Sequence, residues 1–207
     1  MFGITATQIV PFQQIGGHVI ISITGPSGIG KGTVKEHLLR VFPAIGELKW
    51  LTTRPPRPNE TNRISVPLEE FGEMEARGEL VLVQELFGHR YGLRAVDLTP
   101  TDSGQVWLTE FHCQNVIRAQ ALNPSILALA LITRDLALLR HRLSTSRGTE
   151  TPSEIELRLA AAIDEMETIL QYRHLFTAVL EVSTETQDSI ANQVVEILAP
   201  QLTRTNP

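Results

Sequence analysis

The sequence has almost no cysteine and no long apolar run, and both absences narrow what the chain can be. Cys113 is the single cysteine among 207 residues, which excludes an internal disulfide framework and argues against a cysteine-based metal site. No segment approaches the ~20 consecutive apolar residues of a transmembrane helix. Residues 1–17 contain neither lysine nor arginine, and they lack the apolar run of a signal peptide. These absences predict a soluble, cytoplasmic protein.

The sequence also lacks an excess of basic residues. Lysine and arginine number 18 against 23 aspartates and glutamates, so the formal net charge is −5. General binders of nucleic acid or membrane surfaces normally show the opposite balance, and we predict neither partner. Hydrophobic residues make up 42% of the chain, enough for a substantial core. An acidic protein that handles anions must concentrate its positive charge locally.

Short apolar runs alternate with segments of helical periodicity along the chain. We predict strands at His18–Thr24, Glu47–Thr53, Glu79–Leu86, Gln105–Thr109, Ser125–Thr133 and Thr177–Val182. We predict helices at Lys31–Val41, Leu68–Gly78, Cys113–Leu122, Arg134–Leu143 and Gln187–Ala199, and a longer one that begins at Thr151. The alternation predicts an α/β fold, with a parallel sheet covered by helices on both faces.

The helix after Thr151 has the clearest local signals. Thr151, Pro152 and Glu154 have the spacing of a capping box with proline at the first helical position. The apolar stripe is predicted to consist of Ile155, Leu159, Ile163, Met166 and Leu170.

A glycine-rich segment lies between the first predicted strand and the first predicted helix. It consists of Gly25, Pro26, Ser27, Gly28, Ile29, Gly30, Lys31, Gly32 and Thr33. Glycines let backbone N–H groups converge on phosphate oxygens, the helix N-terminus adds partial positive charge, and a lysine reaches the β- and γ-phosphates. The hydroxyl comes one residue later than in the strict P-loop motif, at Thr33. The strand–loop–helix context predicts an ATP-binding phosphate loop, with Mg²⁺ brought by the nucleotide and Thr33 as its candidate ligand.

Four segments in order and spacing make the chain similar to the guanylate kinases. They are GPSGIGKGT, LTTRPPRPNE at 51–60, HRYG at 89–92, and RGTETPSEIELRLAAA at 147–162. The resemblance implies a P-loop kinase domain over residues 18–200. Its parts would be a core (18–45 and 101–200), a small mixed acceptor-binding insertion (46–100) and a lid (144–152). A loose leader (1–17) and a tail (201–207) flank the domain.

The resemblance also implies roles for particular residues. Arg54, Arg57 and Tyr91 match residues that hold the acceptor phosphate, and Glu110 matches an acidic residue that follows the core strand. Lys31 and the lid-region arginines Arg142, Arg147 and Arg158 would act on the transferred phosphoryl group. One extra residue separates Arg142 from Arg147. Arginine suits these tasks because its charged fork fits phosphate oxygens.

The positions that read guanine in that family hold other residues here. They are occupied by Trp50, Leu82, Leu93 and His112. Hydrogen bonds to charged groups contribute ~1.5–3 kcal/mol each, so losing two or three removes on the order of 10³-fold of discrimination. We therefore expect ATP-dependent transfer to a phosphorylated small acceptor, GMP or another nucleoside monophosphate, with GMP not bound in the usual way.

Two alternatives remain open at the level of sequence. The segment Asn62–Ser65 resembles one in the ribose 1,5-bisphosphate phosphokinases, which favours a sugar-phosphate acceptor. A non-catalytic guanylate-kinase-like module that binds protein partners is the other alternative. The intact phosphate loop and the arginines argue against that module, and titration with ATP–Mg²⁺ would separate the two classes.

Overall fold

The protein is described by a computed structural model that covers residues 19–57, 60–86, 88–99, 105–146, 151–183 and 187–202. The predicted leader, Arg147 with the centre of the predicted lid, and tail residues 203–207 lie outside the described residues. No described helix combines the length and the apolar character that crossing a bilayer requires.

The main sheet has five strands in the order β2 (Gly46–Glu47), β7 (Val106–Glu110), β1 (Val19–Thr24), β8 (Ile126–Ile132) and β9 (Ala178–Glu181). Every neighbouring pair is parallel, with Ile21 opposite both Leu108 and Leu127. All six residues of β1 are buried, as expected for a central strand covered on both faces. The predicted parallel α/β sheet is confirmed.

Helices cover both faces of this sheet because alternate residues of β1 point in opposite directions. Ile21 and Ile23 belong to the core that includes residues of α1 (Lys31–Val41) and α7 (Gln187–Leu202). Ile20 belongs to the opposite core, which includes residues of α4 (Cys113–Leu122) and α6 (Pro152–Gln171). Helix α5 (Leu136–Ser146) packs on α6 through Leu139 and Leu143.

A second sheet of four strands lies beside the first. Its order is β4 (Arg63–Ser65), β3 (Trp50–Thr52), β6 (His89–Arg94) and β5 (Leu80–Leu86), and it carries helices α2 (Leu68–Ala76) and α3 (Ala95–Leu98). The sequence did not predict β4, β6 or α3. A short 3-10 turn, Arg173–Leu175, follows α6.

The single strand predicted at Glu47–Thr53 is wrong. The chain forms β2 in the main sheet and then β3 in the second sheet. The amide of Leu48 still bonds to the carbonyl of Leu108 at 2.9 Å, and the chain changes sheet only after that point. Apolar periodicity cannot show this change because Leu48, Trp50 and Leu51 are buried on both sides of it. The segment predicted as an insertion thus contributes its first strand to the main sheet.

Helix α6 confirms the predicted cap but shifts the predicted stripe. Thr151 and Glu154 form both hydrogen bonds of a capping box. Its buried residues are Leu159, Ala162, Met166 and Ile169, whereas Leu170 is 52% exposed. Several helix ends also differ from prediction, and two of them extend into the predicted lid and tail. Helix α5 continues to Ser146, inside the predicted lid, and α7 continues through Pro200 to Leu202, inside the predicted tail.

Candidate active site

The phosphate loop joins the central strand β1 to helix α1, as the sequence predicted. Gly25 has a φ of +139°, and a Cβ there would lie 2.3 Å from the carbonyl oxygen of Leu131. No side chain fits that space, so the loop packs directly against the end of β8. Gly30, the N-cap residue of α1, also has a positive φ, +112°. The loop therefore delivers the N-terminus of an eleven-residue helix to the edge of the sheet where its parallel strands end.

Lys31 is the first residue of α1, and its side chain folds back over the loop. Nζ donates to the carbonyl oxygens of Gly25 at 2.5 Å and Pro26 at 3.0 Å. These bonds hold the ammonium group directly above the loop. A full positive charge thus adds to the partial charge of the helix N-terminus.

Two predicted arginines contact the same loop from different helices. Nη1 of Arg142, on α5, donates to the carbonyl oxygen of Ile29 at 3.0 Å. Nη1 of Arg158, on α6, lies 3.3 Å from Oγ of Ser27. Residues more than a hundred positions apart in sequence therefore surround one loop. The contact of Arg142 forms despite the extra residue that separates it from Arg147.

Arg54 lies at the end of β3 and is 7% exposed. Its Nη2 donates to both carboxylate oxygens of Glu60, at 2.7 and 2.5 Å. Its Nη1 is buried and has no hydrogen-bond partner among the described residues. Glu60 also accepts from Nε of Arg63 at 3.1 Å. One carboxylate thus orients two guanidinium groups and leaves one donor group of Arg54 available to an anion.

Tyr91 lies on β6, the neighbouring strand. Together with Arg54, Glu60 and Arg63 it forms what we call the Arg54 cluster. The guanidinium carbon of Arg63 lies 5.5 Å from the centre of the Tyr91 ring, a cation–π distance. Thr52 lies opposite Tyr91 across the β3–β6 ladder. Arg57 lies on the exposed loop after Arg54, and its carbonyl oxygen accepts from the amide of Glu60 at 3.3 Å. Arg54 and Tyr91 are therefore linked through Glu60 and Arg63, while Arg57 is exposed.

A chain of polar contacts links this cluster to helix α1. Nζ of Lys35, one turn after Lys31, lies 2.7 Å from Oε1 of Glu47 and 3.9 Å from Oε1 of Glu110. Oε2 of Glu47 lies 3.5 Å from Oγ1 of Thr61, the neighbour of Glu60. Lys35 of α1 thus contacts both Glu47 and Glu110, and Glu47 contacts the residue next to Glu60.

Three of the four residues that the sequence placed at guanine-reading positions are buried, and the half-exposed His112 is the exception. Trp50, Leu82 and Leu93 are 3%, 2% and 0% exposed and belong to one apolar cluster. The indole N–H of Trp50 donates to Oγ1 of Thr109 at 3.0 Å, and its ring packs edge-on against Phe111. Leu82 has a φ of +53° within a bulge of β5. The side chains of these three buried residues leave no hydrogen-bonding group for a base.

Known proteins that resemble the chain are guanylate kinases. The enzyme from Streptomyces kasugaensis is 37% identical over 169 residues, which cover 79% of this chain and 82% of the relative. The enzyme from Thermosynechococcus vestitus is 36% identical over 151 residues, which cover 71% and 78%. The chain belongs to the guanylate kinase family. This membership confirms the family predicted from the sequence.

The fold of this guanylate kinase family member agrees with that assignment. The crystal structure of guanylate kinase from Anaplasma phagocytophilum matches with a TM-score of 0.64 at 20% identity, covering 91% of this chain and 88% of the other. A gluconokinase from Sinorhizobium meliloti matches with a TM-score of 0.52 at 14% identity, covering 93% and 97%. No protein-family model matched the sequence. The predicted P-loop kinase fold is confirmed, and the protein is an ATP-dependent kinase.

The sequence did not predict three polar residues of the site. Glu60 orients Arg54, Arg63 packs on Tyr91, and Lys35 joins Glu47 to Glu110. A signal for Glu60 was present, because an acidic residue ends the TTRPPRPNE segment beside two arginines. The role of Arg63 depends on strand β4, which the sequence did not predict. The role of Lys35 depends on β2, which the sequence did not separate from β3.

Proposed function

We propose that the protein transfers the γ-phosphoryl group of ATP to the phosphate of a small phosphorylated acceptor. The observation that carries the proposal is the presence of two separate cationic groups. One is Lys31 folded over the phosphate loop, and the other is the buried Arg54, whose Nη1 has no hydrogen-bond partner among the described residues. Phosphoryl transfer chiefly requires that two anions be positioned and their charge neutralised.

On the nucleotide side, the loop from Gly25 to Thr33 would hold the ATP phosphates. Its amides and the α1 N-terminus supply partial positive charge, and Lys31 supplies a full one. Arg142 and Arg158 contact the loop and would act on the transferred group. Arg147, predicted from the lid segment, is proposed for the same role.

Mg²⁺ fits the oxygen chemistry of this loop. The hydroxyl of Thr33, in the first turn of α1, is a hard donor of the kind that Mg²⁺ binds together with phosphate oxygens. When bound, the ion neutralises charge on the β- and γ-phosphates. We propose Thr33 as the ligand contributed by the protein.

On the acceptor side, Arg54, Arg57 and Tyr91 would hold the acceptor phosphate. An oxygen of that phosphate attacks the γ-phosphorus of ATP, the bond to the β–γ bridging oxygen breaks, and ADP leaves. Burial of Arg54 strengthens its attraction for the phosphate, because little water competes for Nη1. Oε1 of Glu110 lies 3.9 Å from Nζ of Lys35, and the Glu110 side chain would lie beside the acceptor.

The buried apolar residues at positions 50, 82 and 93 argue against ordinary guanine recognition. Other polar groups flank Tyr91 instead. Gln84 lies opposite Tyr91 on β5, and it accepts from the amide of Asn115, a residue 1% exposed, at 3.0 Å. We propose that the acceptor is a nucleoside monophosphate bound without the usual guanine contacts. A sugar phosphate is the second candidate, since an acceptor without a base needs no base pocket.

The test is ADP release from ATP–Mg²⁺ with a panel of nucleoside monophosphates and ribose phosphates. We expect turnover with at least one acceptor, and a kcat/KM for GMP about 10³-fold or more below that of a guanylate kinase assayed in parallel. GMP turnover at ordinary efficiency would refute the specificity proposal and uphold the kinase. No turnover together with no ATP–Mg²⁺ binding in calorimetry would refute both and favour the binding module.

Substitutions test the proposed roles of single residues in the same assay. Lys31→Ala should abolish turnover without unfolding the protein, as judged by circular dichroism. Arg54→Ala should raise the acceptor KM, lower kcat, or both, while KM for ATP stays unchanged. Arg134→Ala is the matched control, because this side chain is 87% exposed and pairs with Glu181 outside the proposed site.

A further inference from the structure

Three potential metal ligands converge where helix α4 begins. His112 precedes the helix, Cys113 is its first residue, and Glu165 reaches the same point from the middle of α6. One ligand atom from each side chain lies within 4.8 Å of the others. The Cys113 side chain is buried, and the side chains of Glu165 and His112 are 10% and 35% exposed. The cluster is thus closed on the protein side and open on one side.

The three ligand atoms lie close enough together for one ion to gather them. Sγ of Cys113 lies 3.7 Å from Nδ1 of His112, whereas Nε2, the other nitrogen of the same ring, lies 3.9 Å from Oε1 of Glu165. Only one ring nitrogen can bind a given ion, and one ligand atom from each of the three side chains lies within 4.8 Å of the others. Bond lengths of about 2.0–2.3 Å to Zn²⁺ place the ligand atoms of a tetrahedral site about 3.3–3.8 Å apart. Binding therefore requires side-chain rotations that shorten these separations by about 1 Å.

We propose that His112, Cys113 and Glu165 bind one Zn²⁺ ion, with the fourth coordination position left to water. The set of one thiolate, one imidazole and one carboxylate is a donor combination that zinc accepts. The half-exposed edge at His112 leaves room for the water ligand. This site is separate from the Mg²⁺ position proposed at Thr33, because it uses helices α4 and α6.

The chemistry of the ligands selects the ion. Thiolate and imidazole favour Zn²⁺ over Mg²⁺ or Ca²⁺, which prefer oxygen ligands. Burial and the neighbouring Glu165 charge raise the pKa of the Cys113 thiol to about 11. A bound ion replaces the thiol proton, and its positive charge compensates the two anionic ligands that would otherwise repel each other.

A bound ion would link helix α6 to the start of helix α4. Helix α6 carries Arg158 beside the phosphate loop. Helix α4 carries Asn115, whose amide nitrogen bonds to the carbonyl of His112 at 2.8 Å and whose side chain bonds to Gln84. Zinc would therefore connect α6, which contacts the phosphate loop, to α4, which contacts β5 of the second sheet. Because it binds only the folded state, it should also stabilise the protein by mass action.

The experiment is titration of chelator-treated full-length protein with Zn²⁺, read by calorimetry and by melting temperature. We expect one equivalent to bind and the melting temperature to rise. Co²⁺ in place of Zn²⁺ should give thiolate-to-metal charge-transfer absorption, which a structural hydrogen-bond cluster would not produce. Absence of binding, or binding without the charge-transfer band, would overturn the proposal.

Matched variants locate the site. Cys113→Ala, His112→Gln and Glu165→Gln should each weaken Zn²⁺ binding about tenfold or more, since even loss of an outer-shell partner of a metal site costs that much. Cys113→Ala should also abolish the cobalt band. Glu167→Gln and His174→Gln, both exposed, should leave binding unchanged. His112→Gln lies at a half-exposed position and should fold normally. Equal affinity in all five variants would place the zinc elsewhere and refute the assignment.

Discussion

Among single residues, Arg54 shows how the fold buries and orients a charged side chain that could bind an anionic ligand. Its guanidinium group is almost fully buried, and Glu60 satisfies only one of its two terminal nitrogens. Burial by itself would raise the pKa of the Glu60 carboxyl. The hydrogen bonds and charges of Arg54 and Arg63 outweigh burial and hold that pKa below its usual value. The Glu60 carboxylate thus remains charged at neutral pH and holds the Arg54 guanidinium group in place.

Glu60→Gln is expected to destabilise the protein by about 1–3 kcal/mol at neutral pH, because the partly buried Arg54 loses its charged hydrogen-bond partner. The folded-state pKa of Glu60 lies below the unfolded-state value, so the contribution is present above the unfolded-state pKa. It disappears as the pH falls through the folded-state pKa. Denaturant titrations of wild type and variant at several pH values measure the difference.

The difference in free energy of unfolding between wild type and Glu60→Gln should therefore shrink below a pH of about 4.5. A difference that grew on acidification would contradict the charge pairing. Glu79→Gln provides a control, because Glu79 pairs with Arg77 on the exposed surface. Exposed pairs of this kind contribute little to stability.

Among the elements, helix α6 links the site to the core. Its capping box fixes the first turn after the predicted lid, and Arg158 near that end contacts Ser27. Farther along, Glu165 faces His112 and Ile169 packs in the core under the main sheet. The rotation of this helix about its axis therefore decides which side chains reach the site.

Two adjacent residues test that rotation. Ile169 is fully buried and Leu170 is 52% exposed. Ile169→Ala should cost about 2–5 kcal/mol of stability through lost burial and a cavity, whereas Leu170→Ala should change it by about 0.5 kcal/mol or less. Chemical denaturation of both variants measures the contrast. Equal costs would mean that the helix is rotated from the orientation described, toward the stripe that the sequence predicted.

For the molecule as a whole, the decisive feature is the junction between the two sheets. Trp50 belongs to β3 of the second sheet, and its indole N–H reaches Thr109 on β7 of the main sheet. The side chains of Asn115 and Arg118 on α4 bond to Gln84 and to the carbonyl of Val83 on β5. These contacts join the second sheet to β7 of the main sheet and to the helix α4 that covers it.

A double-mutant cycle across this junction should show coupling. Trp50→Phe and Thr109→Val each remove one partner of the hydrogen bond, and a coupling energy of about 1 kcal/mol is expected between them in denaturant unfolding. Both single variants should also alter the acceptor KM more than the KM for ATP, because they weaken the attachment of the second sheet, which carries Arg54 and Tyr91. Additive effects on stability would show that the hydrogen bond does not join the two sheets.

Much of the main-sheet domain around the phosphate loop could be predicted, because its sequence signals lie within short contiguous segments. The strand, glycine turn and helix around Lys31 are contiguous, and so are the capping residues of α6. The acceptor half was harder to predict. Its strands β4 and β6 contain three and six residues, and apolar alternation is too weak over such lengths to separate them from loops.

The order of residues along the chain established the parallel α/β core, the phosphate loop and the family, because each depends on neighbours in sequence. Tertiary packing established the rest. It brought Arg142 and Arg158 to one loop, buried Trp50, Leu82 and Leu93 together, and gathered His112, Cys113 and Glu165 from two helices. Such contacts between distant segments depend on how helices rotate and sheets abut, and side-chain packing in three dimensions fixes both.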